Sequence, residues 1–289
     1  MSTLTYSILF WLLAMVWYGL GDVFSKRPSR AIWALPTLVY KNFFVVLVTI
    51  CVFFLLGESW QSDGRYILYA ILLSIVGYFA PVFILRAYRL GDVSVITPLS
   101  KSYLLIVIAV SVVFFWDVLT WSKAVWMVGI IIGILLISLG KRSSAAQWGW
   151  GKFVLGAVVS WWIFFSFIPF IAPHLPAVQF TLLIEATVFS CALIETCIRA
   201  SRLWTTNLFQ SETPYFQIFL VGLFWAFGTL GVTYGATLWE FSLVATFAAA
   251  APIVAILWSF FLHKERLTRK QWLAVALIIV STIVLSYFS

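Results

Sequence analysis

Charged residues are scarce in this chain of 289 residues. They make up 10% of it, against about 25% in soluble domains, whereas 63% of the residues are hydrophobic. This composition excludes an ordinary water-soluble core, a disordered chain and a coiled coil, because each of those needs a polar surface that the chain cannot supply. With a mean hydropathy of +1.06, most of the chain must be dissolved in lipid.

Cysteine and histidine are also rare, and they show no catalytic or metal-binding spacing. The three cysteines, Cys51, Cys191 and Cys197, all fall within apolar runs, so they form no disulfide framework. The two histidines, His174 and His263, lie outside any His-Glu-x-x-His or Gly-x-Ser-x-Gly pattern. We therefore expect neither an enzyme nor a bound metal or cofactor.

Long apolar runs dominate the sequence. A membrane-spanning helix needs about 20 mostly apolar residues, and no connection between the runs is long enough to form a soluble domain. The chain therefore predicts an all-α integral membrane protein whose main partner is the lipid bilayer. The ten predicted spans are 4–22, 36–56, 66–88, 92–115, 122–140, 152–171, 178–198, 215–237, 240–262 and 269–288.

The net charge of +8 reflects membrane topology rather than nucleic-acid binding. The loops after spans 1, 3, 5, 7 and 9, here called the odd loops, carry 14 Lys and Arg residues, whereas the other side carries 2. Positively charged loops stay in the cytoplasm. This bias predicts cytoplasmic odd loops and two external termini, and the short loops are typical of a bacterial inner-membrane protein.

The chain contains an internal repeat with an offset of 148 residues. Leu90-Gly91-Asp92-Val93-Ser94 matches Leu238-Trp239-Glu240-Phe241-Ser242, and Asp117-Val118-Leu119-Thr120 matches Glu265-Arg266-Leu267-Thr268. The repeat divides the protein into five-span halves, 1–140 and 141–289. Because five is odd, the second half is inverted in the membrane. Inverted repeats of this kind are typical of secondary transporters that work by alternating access.

These features resemble the EamA-like branch of the drug/metabolite transporter superfamily. The similarity is closest in the acid-x-Leu-Thr turns before spans 5 and 10, above all in Lys264-Glu265-Arg266-Leu267-Thr268. The resemblance implies a ten-helix fold of two inverted repeats, with a central cavity walled by spans 1, 3, 4, 6, 8 and 9. It also implies a secondary transporter, and the family's substrates range from amino acids and sugars to cations and lipid-linked groups.

Two ionisable residues lie deep within spans and are candidate substrate ligands. Lys101 is about 13 Å into span 4, and Pro98 can break the helix just before it. Glu185 is similarly deep in span 7. Intramembrane charges are expensive and usually functional, so Lys101 is expected to meet an anionic part of the substrate. Glu185 could bind a cation or a proton, or pair with Lys101 as a gate, and simple helix packing remains the alternative for both.

Three other charges have local explanations in the sequence. Lys41 is close enough to the cytoplasmic end of its span to extend its side chain to the interface. Glu195 precedes Arg199 by four residues, the favourable spacing for a helical ion pair. Asp22 is expected at the end of span 1, paired with Lys26.

Aromatic residues form 19% of the chain, and many lie in interfacial belts. A smaller set lies well inside the spans, on helices that could line a cavity for an apolar, aromatic or cationic ligand. Packing against lipid or the core is the alternative for each of them. The candidate binding residues in this set are Trp17, Tyr18, Tyr78, Tyr103, Trp161, Trp162 and Trp225.

The leading hypothesis is a transporter of a small organic solute, an amino acid or related metabolite with some aromatic character. We expect an exporter or exchanger, with coupling to a proton or cation left open. A flippase for a lipid-linked headgroup shares the fold and remains the alternative. A channel is disfavoured because the spans lack repeated polar rings and a filter loop.

Overall fold

The computed structural model describes residues 3–114, 120–139, 148–203, 214–238, 250–263 and 268–288. Its structure in these ranges is helical, as the apolar composition predicts, because a helix satisfies all of its backbone hydrogen bonds internally within lipid. The helices are α1 Thr3–Ala31, α2 Ala34–Leu56, α3 Gly64–Leu90, α4 Val93–Ser100, α5 Leu104–Phe114, α6 Trp121–Leu139, α7 Trp148–Ile171, α8 Ala177–Leu203, α9 Tyr215–Leu238, α10 Pro252–His263 and α11 Arg269–Phe288.

Each of the ten predicted spans contains a described helix, and the predicted all-α membrane fold is confirmed. By length and apolar composition, 6 helical segments in the described residues are clear membrane spans, and shorter apolar helices accompany them. Span 4 consists of α4 and α5 joined by a 3₁₀ turn, Lys101–Tyr103. Pro98, which has no backbone N–H, lies in the last turn of α4. The sequence prediction that the helix breaks near Lys101 is therefore correct.

Helix packing repeats itself between the halves. Helix α1 packs mainly on α9, and α3 packs mainly on α7. These two pairs are equivalent under the repeat. Helices α1 and α9 are spans 1 and 8, and their counterparts in the opposite halves are spans 6 and 3, which are α7 and α3. The pairs α2–α8 and α6–α11 transform into themselves under the same repeat. This pattern is the one expected for two related five-helix units packed around a pseudo-two-fold axis in the membrane plane.

Helix α1 is longer than the apolar run that predicts it. The run ends at Asp22, whereas the helix continues through Pro28 to Ala31. Its last part is polar but buried, since Ser25, Lys26 and Ser29 are almost fully covered by neighbouring helices. Asp22 is thus an interior residue of the helix rather than its last one.

Parts of the repeated sequence motifs lie outside the described residues. They are Asp117-Val118-Leu119, Trp239-Glu240-Phe241-Ser242 and Glu265-Arg266-Leu267. Of the first motif pair, Leu90–Ser94 is described, and it forms the turn from α3 into α4, where Asp92 is the residue before the helix.

Candidate substrate cavity

A cavity lies between the two halves near the middle of the bundle. Its lining comes from α1, α2, α3, the 3₁₀ turn, α7, α8 and α9. Helices α2 and α8 are therefore added to the wall that the family resemblance implies. Helix α10, which is the described helix of span 9, contributes no lining residue. The lining residues are Tyr18, Lys41, Gly77, Pro81, Lys101, Tyr103, Trp161, Phe164, Phe165, Ile184, Glu185, Val188, Trp225 and Thr229.

Lys101 is positioned by the break in span 4. Its side chain is 6% exposed, and its Nζ lies 4.8 Å from the ring centroid of Trp161 and 5.7 Å from that of Tyr18. Among the described residues, no carboxylate oxygen is within 4.0 Å of this ammonium. Aromatic faces attract a cation, but they leave its hydrogen-bond donors unused. Lys101 is thus held in the cavity with donors available.

Lys41 is a second cavity lysine, which the sequence interpretation placed at the interface. That interpretation is wrong, because Lys41 is only 2% exposed and its Nζ lies 3.8 Å from the ring centroid of Trp225 on α9. It too has no carboxylate within 4.0 Å among the described residues. Proximity to the end of an apolar run predicted an extended side chain, but the packing of α9 on α2 covers this position.

Glu185 faces the lysines from α8. Its Oε2 accepts a hydrogen bond of 2.8 Å from Asn42 Nδ2, and its Oε1 accepts one of 2.8 Å from Thr229 Oγ1. The Tyr18 hydroxyl donates in turn to Thr229 Oγ1 at 3.3 Å. Lys41 is the positive charge that acts on this carboxylate. The suggested Glu185–Lys101 gate is absent among these contacts, since Lys101 interacts electrostatically with Asp22 instead.

Aromatic rings form the remaining walls. The Tyr103 and Phe165 rings stack with centroids 5.0 Å apart, and Trp161 lies 5.7 Å from Tyr103. Across the cavity, Tyr18 meets Trp225 edge to face at 5.4 Å. These walls offer flat apolar surfaces beside the charged groups, an arrangement suited to an amphipathic ligand.

Four of the predicted binding residues lie outside the cavity lining. The Trp17 ring stacks on Phe224, 5.4 Å away. The Tyr78 hydroxyl donates to Glu195, Trp162 packs against the core, and Pro98 is buried in α4. The structure brings the other six together: Tyr18, Lys101, Tyr103, Trp161, Glu185 and Trp225.

The position and the partner of Asp22 in the structure differ from those that the sequence predicts. Lys26, its expected partner, forms an ion pair with Asp92 instead, with Nζ 3.5 Å from Oδ1. Asp22 is 2% exposed and interacts electrostatically with the cavity lysine Lys101. The expected local pair is replaced because the Lys26 side chain reaches Asp92 at the start of α4.

Glu195 behaves as predicted, and it has further partners. Arg199 Nε donates to its Oε1 at 2.8 Å, and Arg86 Nη2 lies 3.7 Å from the same oxygen. With the Tyr78 hydroxyl, these contacts connect α3 to α8 outside the cavity. Glu195 is thus part of the helix packing.

Polar contacts connect helices at both ends of the bundle. On the side of the odd loops, the Lys26–Asp92 pair joins α1 to the start of α4. On the opposite side, Gln61 and Gln179 exchange two hydrogen bonds of 2.8 Å between the α2–α3 loop and α8. The cavity lies between these two sets of contacts.

The charged and aromatic groups of the cavity are suited to binding a ligand. Within the described ranges, no group of three His, Cys, Asp or Glu side chains could hold a metal ion. The cavity combines two ammonium groups, one hydrogen-bonded carboxylate and aromatic walls. Together these groups can bind a ligand that has an anionic group, a cationic group and an apolar or aromatic part.

Comparisons with known proteins agree with this architecture. The sequence profile of the EamA-like transporter family matches twice, at residues 5–139 and 148–287. An uncharacterised protein of Methanocaldococcus jannaschii is 28% identical over 137 residues, which cover 47% of this chain and 98% of that protein. A crystal structure of another protein superposes with a TM-score of 0.75 over 98% of this chain and 97% of that one; at 14% identity, this likeness shows the fold alone.

Proposed function

Because the chain belongs to the EamA-like transporter family and is a multi-pass membrane transporter, we propose that it moves a small zwitterionic or anionic solute with an aromatic part. Aromatic amino acids and closely related metabolites have this chemistry. The observation that carries the proposal is the pair of lysines, Lys41 and Lys101, each held on an indole ring in the cavity with no carboxylate within 4.0 Å among the described residues.

The two lysine ammonium groups face Glu185 and Asp22, but among the described residues none of these pairs is within the 4.0 Å of an ion pair. A buried cation that makes no ion pair is costly, and a carboxylate on the solute would supply charge-assisted hydrogen bonds. Glu185 has one donor on each of its oxygens, and each oxygen can accept a second hydrogen bond. It can therefore receive the ammonium group of an amino acid while Lys101 or Lys41 takes the carboxylate.

The aromatic walls supply the specificity for the rest of the solute. Stacking on Tyr103 and Phe165, or on Trp161, favours a flat ring over an aliphatic chain of similar size. Amino acids with aromatic side chains should therefore bind more tightly than alanine or serine.

Alternating access is the mechanism we propose for the movement. The halves 1–140 and 141–289 would exchange conformations, opening the cavity first to one side and then to the other. The pseudo-symmetric packing of α1–α9 and α3–α7 supports this proposal, since equivalent interfaces can exchange roles. The contacts at the two ends of the bundle, Lys26–Asp92 and Gln61–Gln179, would then open in turn.

The orientation we propose follows the charge bias of the loops. With 14 Lys and Arg residues on one side and 2 on the other, the odd loops face the cytoplasm and both termini face outward. A bacterial inner membrane is the proposed location. In that orientation the Lys26–Asp92 pair lies on the cytoplasmic side of the cavity.

Reconstituted liposomes test the function directly. Vesicles loaded with unlabelled phenylalanine should take up labelled phenylalanine by exchange, and tryptophan and tyrosine should compete better than alanine. Lys101→Ala should reduce exchange at least about 30-fold, since removing one partner of a buried charge contact costs about 2 kcal/mol or more. Exchange at the wild-type rate in a folded Lys101→Ala protein would contradict the assignment.

A flippase for a lipid-linked headgroup is the competing outcome of the same experiment. Labelled amino acids, organic cations and phosphorylated metabolites should be tried with protein whose folded state has been verified. No uptake from this panel, together with movement of a lipid-linked compound across the bilayer, would overturn the small-solute proposal.

A further inference from the structure

Asp22 is a buried acid that the binding cavity itself does not use. It lies on α1 one helical turn beyond the cavity residue Tyr18, towards the odd loops, and is 2% exposed. Its Oδ2 has no hydrogen-bond partner among the described residues. A carboxylate oxygen buried without a partner is expensive, so its presence inside the helix bundle calls for an explanation.

The surroundings of Asp22 supply positive charge without a fixed ion pair. Lys101 has the larger electrostatic effect on it and Lys41 a smaller one, but neither ammonium comes within 4.0 Å of a described carboxylate. Lys26, one turn further along α1, interacts with Asp92. Asp22 therefore depends on a lysine that also faces the solute cavity.

Other titratable side chains around Asp22 come from α1 itself, from α2 and α3, and from the 3₁₀ turn of span 4. The Tyr88 hydroxyl lies beside it and shares a hydrogen bond of 2.8 Å with Thr97 Oγ1. Tyr18 and Tyr103 are also within electrostatic range. The groups that face Asp22 are thus Tyr18, Lys41, Tyr88, Lys101 and Tyr103. Two of these groups are cations and none is an acid that competes for a proton.

We propose that Asp22 is the proton-binding site that couples ion movement to solute movement, with Lys101 shared between Asp22 and the solute. This proposal rests on the proposed function, because it requires an anionic solute group at Lys101. When that group binds Lys101, it neutralises the cation on which the Asp22 carboxylate depends. Asp22 then gains a proton from water on the side to which the protein is open, so solute and proton bind together.

The predicted coupling is cotransport in the same direction. A proton that enters with the solute leaves with it, because loss of the solute restores the Lys101 charge beside Asp22 and favours the ionised acid again. For one proton per solute, a gradient of about one pH unit supports up to about tenfold accumulation. In the liposome assay for this accumulation, potassium and valinomycin clamp the membrane potential, so that the proton gradient is the only driving force.

The decisive variant is Asp22→Asn, with Asp63→Asn as the matched control. Asp63 is a partly exposed residue that precedes α3, and its side chain accepts a hydrogen bond from the Arg65 backbone N–H, a contact that asparagine also makes. With labelled phenylalanine as the probe, Asp22→Asn should keep exchange between equal pH values. It should lose accumulation driven by a pH gradient, which Asp63→Asn and wild type retain. Asp22→Glu should restore part of it.

Two outcomes would overturn the assignment while leaving the proposed function intact. One is wild-type accumulation by Asp22→Asn under the pH gradient. The other is a wild-type protein that exchanges phenylalanine but never accumulates it under that gradient. Failure of wild type to exchange any probe would instead contradict the proposed function.

A readout without solute tests the proton site separately. Infrared difference spectra of the reconstituted protein between acid and alkaline pH should contain a protonated carboxyl band that Asp22→Asn lacks and Asp63→Asn keeps. The same band at full intensity in Asp22→Asn would overturn the proposal. This measurement decides the site even if phenylalanine is not a substrate.

Discussion

The Lys41 ammonium lies 3.8 Å from the ring centroid of Trp225, and the two residues come from different halves of the protein. Lys41 is on α2 and Trp225 is on α9, so this contact depends on how the halves pack together. Cation–π contacts removed from water contribute about 2 kcal/mol or more. A cavity lysine is thereby held in place with no carboxylate of the described residues within 4.0 Å, so its ammonium group can still bind a solute.

Replacing the Trp225 ring should weaken transport more than replacing a surface tryptophan. Trp225→Leu removes the face that holds Lys41, and we expect the exchange of labelled phenylalanine to fall about 10- to 30-fold. Trp225→Phe should lose less, because a phenyl ring still attracts the ammonium. Trp258→Leu, at a position on α10 that is 43% exposed, is the matched control. Equal losses in Trp225→Leu and Trp258→Leu would contradict the role of the Lys41–Trp225 contact.

Gly228 on α9 provides the space that Tyr18 occupies. A Cβ at this position would stand 2.7 Å from Tyr18 Cδ1, so Gly228→Ala must displace a ring in the cavity wall or separate α1 from α9. Overpacking of this kind typically costs about 1–3 kcal/mol. We expect a lower melting temperature in detergent and weaker exchange of labelled phenylalanine.

Gly151 on α7 is the matched control, because a Cβ there would meet no atom of the described part of the chain within 4 Å. Gly151→Ala should leave exchange unchanged and raise the melting temperature slightly, since alanine favours the helix by about 1 kcal/mol over glycine. Equal effects of the two substitutions on melting would mean that the α1–α9 contact is looser than the structure indicates.

Glu195 should matter for stability but not for solute affinity. It accepts hydrogen bonds from Arg199 and Tyr78 and lies 3.7 Å from Arg86, yet it is outside the cavity lining. Glu195→Gln should lower the melting temperature while the half-saturating concentration of phenylalanine in exchange stays at its wild-type value. A changed half-saturating concentration with unchanged melting would assign Glu195 to the transport pathway instead.

The sequence was sufficient to predict the spans, because apolar length alone decides where a chain crosses lipid. It also placed Lys101 deep in span 4, a depth that does not depend on how the helices pack. The 3₁₀ turn, Lys101–Tyr103, begins three residues after Pro98, and a departure from an ideal helix near a proline is likewise a local property of one helix.

The sequence failed where the environment of a residue depends on other helices. The end of the apolar run predicts a terminal Asp22, but the polar turns that follow are buried by the rest of the bundle, and α1 continues to Ala31. The position of Lys41 near the end of its run predicts a side chain at the interface, but Trp225, 184 positions away in the chain, covers it. Neither contact leaves a periodic or spacing signal in the sequence.

The membrane orientation gives the last prediction. The 14 to 2 distribution of Lys and Arg between the two sides predicts external termini. In a bacterial host, alkaline phosphatase fused after Ser289 should therefore be active, because that enzyme needs the oxidising environment outside the inner membrane. A green fluorescent protein at the same position should be dark. The same two reporters fused within the loop after span 9, at Lys264, should give the opposite pattern. A fluorescent C-terminal fusion with inactive phosphatase would reverse the proposed orientation, and it would place the Lys26–Asp92 pair on the external side of the cavity.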